Sequence, residues 1–150
     1  MTEEQKQLLL QDLCARLPYG VKVENTSFLE PQIQTLFGRV SDDEFIMLET
    51  YKSVGGKDFR KVTDNVHYTG YLERIKPYLR PMSSMTMEEK RYKLSKFFKI
   101  INTNIEGVGY IPTLNSGSAI EYINWLNANH FDYRGLIEMG LALEAPEGMY

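Results

Sequence analysis

At 150 residues, with 43% hydrophobic and 25% charged side chains, the chain has the composition of a globular domain with its own core, which excludes a disordered or fibrous protein. A net charge of −3 excludes a surface that is basic throughout. A single cysteine, Cys14, excludes an internal disulfide and a multi-cysteine zinc site, while ten tyrosines suit half-buried and interfacial positions.

The opening "MTEEQKQLLLQDLCARL" reads as a helix. Thr2 and Gln5 form a capping-box pattern, in which side chains satisfy backbone N–H groups left free at the start. Leu9, Leu10, Leu13, Cys14 and Leu17 recur at helical spacing, and Pro18 and Gly20 end the run. Cys14 lies on that stripe and is expected to be a small buried hydrophobe, not a nucleophile. Acidic residues stand where a secretory leader would carry basic ones, and the apolar run is short. Neither a leader nor a membrane span is expected, and the expected location is cytoplasmic.

From Val21 to about Tyr71 the texture is that of strands. "VKV", "IQTLFGRV" and "FIMLETY" are short β-branched or aromatic runs, with "SDDE" and "SVGGKDF" as turns between them. The second and third make an antiparallel hairpin across Ser41–Glu44, although the period of two in "IQTLFGRV" is imperfect. "NVHYTGYLERIKPYL" adds a strand ending near Pro77. Three to five strands predict a small antiparallel sheet, curled or closing into a partial barrel.

"PYLRP" reads as an extended connector between Pro77 and Pro81. A second helix follows in "SSMTMEEKRYKLSKFFKII", capped by Thr86 and Glu89. Its apolar side is expected to hold Met87, Leu94, Phe98 and Ile101, with Phe97 at the edge and Lys93, Lys96 and Lys99 opposite. "NTNIEGVGYIPTLNSGS" is expected to be loop with one short strand. A third helix opens at Ser118, three residues before Glu121. Its apolar face is expected to be Ala119, Ile120, Ile123 and Leu126, and the lone Trp125 is expected to be buried. Asp132 is a good cap for a fourth helix, "YRGLIEMG", ended by Gly140, after which "LALEA" closes the chain as a strand or extended tail. The fold class is therefore α+β: an N-terminal helix, a small antiparallel sheet and a helical C-terminal half. It forms one domain over 1–150, with sub-lobes at 1–80 and 81–150.

Chemistry-bearing patterns are sparse. His130, Asp132 and Arg134 are close in sequence, and a histidine beside a carboxylate can act as a general base. Yet no nucleophile stands at a recognisable spacing and Asp132 serves as a cap, so His130 is expected to be a half-buried histidine at a helix junction. His67 and His130 are far apart, so no metal site is expected. No nucleotide-binding loop or hydrolase motif is present, and Gly55, Gly56 and Lys57 read as a turn, as do Asp42 and Asp43. No catalytic residue and no cofactor are expected.

The most informative polar feature is an asymmetry of charge. Between Arg74 and Lys99 lie eight basic residues against Glu88 and Glu89; from Ser118 onward Arg134 is the only formal positive charge. Three functions follow, the last of them an enzyme acting at His130, which predicts a deep pocket holding His130 and a second titratable group. The first is a non-catalytic interaction or accessory protein, meeting another protein or a second copy of itself through a tyrosine-rich surface. The alternative is a nucleic-acid-binding protein that grips phosphates with the basic helix around residues 90–99, through Lys93, Lys96 and Lys99, with Tyr92 to stack a base.

Three blocks, "LLLQDLCARLPYGVKV", "IKPYLRPMSSMTMEEK" and "INWLNANHFDYRGLIEMGLALEAPEGMY", resemble a family of small uncharacterised proteins from gut Bacteroides-type bacteria and their phages or mobile elements. The resemblance implies that source and a cytoplasmic setting. It transfers no functional residue.

Overall fold

In the computed structural model, the structure describes residues 1–39, 41, 44–49, 52–54, 58–60, 67–105 and 108–150. Helix α1 spans Glu3–Arg16 and begins with the expected capping box: Thr2 Oγ1 accepts from Gln5 N–H, and Gln5 Oε1 accepts from Thr2 N–H. A short 3-10 turn through Pro18 and a left-handed Gly20 (φ 64°) then redirect the chain. The strands follow as β1 (Lys22–Asn25), β2 (Gln32–Arg39), β3 (Glu44–Glu49), β4 (Lys52–Val54), β5 (Asp58–Arg60), β6 (His67–Tyr71) and β7 (Ile75–Leu79).

The main sheet has six strands in the order β10-β7-β1-β2-β3-β6, where β10 is Leu143–Glu144 near the C-terminus. Every neighbouring pair is antiparallel except β7–β10, which is parallel. The sheet is open, so the partial barrel does not close among the described residues. The expected β2–β3 hairpin forms, and its irregular period has a cause. Leu36 faces Met47 while Gly38 faces Ile46, so Phe37 is the extra residue of a bulge. The inward set is Gln34 and Leu36, while Ile33 and Phe37 are exposed. The segment around Tyr71 forms two strands where one was expected, because a 3-10 turn at Leu72–Arg74 buries Leu72 and separates β6 from β7. Strands β4 and β5 pair across residues 55–57; the expected turn there, like that at Asp42 and Asp43, lies outside the described residues.

The C-terminal half begins with α2 (Met87–Phe97), again capped as expected by Thr86 and Glu89. It stops at Phe97, four residues before the expected end, because Phe98 starts β8 (Phe98–Ile105), which pairs with β9 (Val108–Leu114). A stretch expected to be mostly loop is thus a hairpin. β-Branched and aromatic residues on both strands outweigh the polar and glycine content that suggested loop. Helix α3 spans Ser118–Ala128, but its N-cap is a left-handed Gly117 with no side-chain bond, not Ser118. The fourth helix does not form. Gly135 takes φ 74°, incompatible with helix, and residues 136–140 are successive turns. Asp132 still caps them, its two carboxylate oxygens accepting from Leu136 and Ile137 N–H.

One core cluster lies between α1 and the sheet, with Leu9, Leu13, Val21, Val23, Leu36, Phe45, Leu72, Ile75 and Leu79, closed by Leu136, Leu141 and Ala142 from the C-terminal turns. Cys14 is half-buried against it. A second cluster joins Met85, Leu126 and Phe131 with Trp125, Tyr122 and Tyr133.

Candidate functional site

The segment after α3 is tied into both clusters. Asn129 N–H and His130 N–H close the helix end, and His130 adopts φ 58°, a conformation a non-glycine residue rarely takes. Arg80 N–H donates to His130 O, and Asp132 N–H donates to Arg80 O, so β7 continues as a parallel bridge onto this segment. The His130 ring is buried, stacked 3.8 Å from the Tyr150 ring at 20°. Tyr150 is anchored in turn. Its hydroxyl donates to Tyr78 O at 2.8 Å and accepts from Lys22 N–H at 3.0 Å.

Beneath them lies a buried ion pair. Asp12 and Arg16 are both fully buried, with Arg16 Nε and Nη2 bound to the two carboxylate oxygens at 2.7 and 3.0 Å. Arg16 Nη2 also donates to Phe131 O at 2.8 Å, and Arg134 Nε stands 3.3 Å from Asp12 Oδ1. The inward face of α1 is therefore Leu9, Asp12, Leu13 and Arg16, half of it ionic. Sequence reasoning passed over this pair. Its signal was an opposite-charge i,i+4 spacing in register with two core leucines.

This arrangement orders the chain and does not assemble a general base. Both oxygens of Asp132 are bound to backbone N–H groups, so the His130–Asp132 pairing does not form. Burial, aided by the charges of Arg16, Arg80 and Lys22, pushes the His130 imidazole down to about 4 from its ordinary 6.5, so it stays neutral at pH 7. Burial likewise pushes the Tyr150 phenol up to about 12.

A pH effect follows. The unfolded chain takes up a proton on His130 near pH 6.5, whereas the folded chain does so only near 4. The contribution is complete above 6.5 and declines as pH falls towards 4, by up to about 3 kcal/mol. His130→Asn tolerates the positive φ and does not titrate. Urea unfolding at pH 7 and pH 5 is expected to show a smaller loss of stability in that variant than in the wild type. Equal losses would contradict the assignment.

The third arrangement joins α2 and α3. Their interface is a layer of rings: Tyr92 to Trp125 at 5.8 Å, Phe97 to Tyr122 at 5.3 Å and to Trp125 at 6.0 Å, and Trp125 to Phe131 at 5.6 Å. The Arg80 guanidinium lies 4.3 Å from the centre of the Phe131 ring and binds Glu89 with both arms, at 2.8 and 3.0 Å. That bidentate bond holds the Glu89 carboxyl below its usual range. Trp125 is half-buried and packed, in keeping with the expectation, but of the expected face of α3 only Leu126 turns inward. Tyr122, Trp125 and Leu126 point inward, while Ala119, Ile120 and Ile123 are exposed. On α2 Phe97, expected at the edge of the apolar side, is the buried residue, while Met87 and Leu94 are exposed. Flat rings fill the gap between two short helices where the aliphatic stripes were expected to.

Of the residues singled out for nucleic acid, Lys93 and Lys96 lie on α2, half-buried and exposed respectively. Lys99 is exposed on β8, beyond the helix end, so the three do not form one helical row. Tyr92 is 46% exposed and edge-on to Phe97.

Among the described residues no helix is long and apolar enough to cross a membrane, and no group of three histidine, cysteine or acidic side chains is placed to hold a metal ion. No family model matches the chain, and no match to it was found among curated proteins or solved structures.

Proposed function

We propose that the protein is a non-catalytic interaction or accessory protein that meets another protein, or a second copy of itself, through the side formed by α2, α3 and the β8–β9 hairpin. The observation that carries this reading is where the aliphatic side chains went. Met87 and Leu94 are two turns apart on one stripe of α2, and Ile120 and Ile123 are one turn apart on α3. All four are exposed, as are Ile100 and Ile101 on β8, Ile120 at 75% of its surface and Ile100 at 70%. Single exposed aliphatic residues are ordinary. Two helical stripes beside an aromatic layer that already satisfies the core are the pattern of an interface. Among the described residues its exposed apolar side chains are aliphatic, with Tyr92 the exposed tyrosine.

The expected source, a Bacteroides-type bacterium or its phage, supplies the cytoplasmic extract in which to look for the partner. A tagged wild-type chain is expected to retain a protein that Leu94→Glu/Ile120→Glu does not, while thermal unfolding of the two stays within about 1 kcal/mol, since both sites are exposed. Self-association serves as well, read as a mass by sedimentation that falls in the variant. A wild type that neither retains a protein nor self-associates contradicts the reading.

A second reading keeps the basic surface in view. Lys90, Arg91, Lys96 and Lys99 are all exposed, a density of positive charge able to attract phosphates on a protein whose net charge is negative.

A further inference from the structure

We infer that the notch between the first turn of α2 and the last turn of α3 is a guanidinium site that takes an arginine side chain of a partner protein. It is a shallow recess of about 230 Å3 lined by Glu88, Glu89, Tyr92, Trp125 and Asn129. The inference rests on the interaction reading only for what carries the arginine; the site itself stands on its lining.

The lining combines two chemistries that one kind of cation satisfies together. Tyr92 and Trp125, with ring centres 5.8 Å apart and planes tilted by 33°, supply the aromatic part of the lining. The rest of the lining offers oxygen acceptors. Glu88 is exposed and has no ion pair among the described residues. Asn129 donates its amide N–H to Trp125 O at 2.8 Å, which leaves its amide oxygen to accept. A planar, weakly hydrated guanidinium can lie against the rings while its N–H groups reach the carboxylate and the amide. A quaternary ammonium has no N–H for those oxygens and favours rings on several sides. A lysine ammonium is a compact, strongly hydrated charge that gains less from an aromatic lining.

The molecule already holds one arginine in this way. The Arg80 guanidinium is bound by both oxygens of Glu89 and lies over the Phe131 ring, which packs on Trp125. The notch repeats that pairing of carboxylate and aromatic face along the same aromatic layer, with Glu88 in the place of Glu89 and Tyr92 and Trp125 in the place of Phe131. Glu89 itself, engaged with Arg80 and the α2 cap, serves as wall.

Trp125 is the only tryptophan, so intrinsic fluorescence excited at the indole comes from a residue that lines the notch. The full chain is titrated at low salt with N-acetyl-arginine amide, then with the lysine and citrulline analogues and with tetramethylammonium. A saturable change with arginine is expected, at least about threefold weaker with lysine and tetramethylammonium, and absent with uncharged citrulline. Glu88→Gln and Tyr92→Leu are each expected to weaken arginine binding about two- to fivefold, the scale of one exposed cation–π contact. No saturable change with arginine, an equal response to citrulline, or tighter binding of tetramethylammonium would overturn the inference. The titration needs no partner, so its failure is distinct from a failure to find one by retention.

Discussion

Asp12→Ala is expected to lower the unfolding free energy by about 3–5 kcal/mol, because it leaves the Arg16 guanidinium fully buried without its counter-charge. The loss is this large because two further contacts depend on the same carboxylate. Arg16 is aimed by it at Phe131 O, and Arg134 stands 3.3 Å from it. Removing both charges together has a different consequence. Asp12→Leu/Arg16→Met exchanges an ion pair for apolar volume and avoids a stranded charge, at the cost of the donor to Phe131 O, about 1–3 kcal/mol. The double variant is therefore expected to be more stable than Asp12→Ala. Urea unfolding at pH 7 reads both. A single variant within about 1 kcal/mol of the wild type, or a double variant less stable than the single, would contradict this account of the pair.

Phe131→Ala is expected to cost a similar amount, about 3–5 kcal/mol, the usual range for emptying a fully buried aromatic site. Phe131 is where the two halves of the chain are joined. Its ring packs on Trp125 from α3 and under Arg80 at the end of β7, and its carbonyl accepts from Arg16 on α1. The cavity has little scope to collapse, since Arg80 is held by Glu89 on its other side. The truncation is also expected to alter the Trp125 emission of the folded protein, which a loss confined to α1 and the sheet would leave unchanged. Phe131→Leu, which keeps most of the volume, is expected to cost less than half as much. Thermal unfolding followed by tryptophan fluorescence tests all three statements. A Phe131→Ala protein unfolding within a few degrees of the wild type would contradict the assignment.

The helix starts were legible in the sequence where a side chain makes them. Thr2 with Gln5 and Thr86 with Glu89 each form both bonds of the capping box. Ser118 with Glu121 has the same letters but not the same role, because the left-handed Gly117 before it turns the chain without side-chain help. Element ends were less legible, since the chain at Phe98 can continue a helix or start a strand, and a distant segment, Ile111 to Leu114, decides it by pairing. The fourth helix failed on one residue. Gly135 weakens a helix by its freedom alone, but here it takes up a left-handed conformation that no helix admits.

The candidate site was less legible than the fold, for a physical reason. Periodicity identifies which residues share a face, but not which of two faces turns inward. On α3 the stripe of Ile120 and Ile123 and the stripe of Tyr122 and Trp125 both qualify, and the choice falls to the shape of the gap against α2, which rings fill and branched aliphatic chains do not. The notch shares that dependence. Glu88 and Asn129 are 41 positions apart and meet only because α2 and α3 pack through that layer.

The most direct test of the central claim compares three baits in extract of the source organism with and without nuclease treatment: the wild type, Leu94→Glu/Ile120→Glu, and Lys93→Glu/Lys96→Glu/Lys99→Glu. The account predicts a protein retained by the wild type and by the lysine variant and lost from the aliphatic one, with nuclease making no difference. Retention that survives in the aliphatic variant but disappears with the lysines or with nuclease would contradict it, and would make the basic surface the working one.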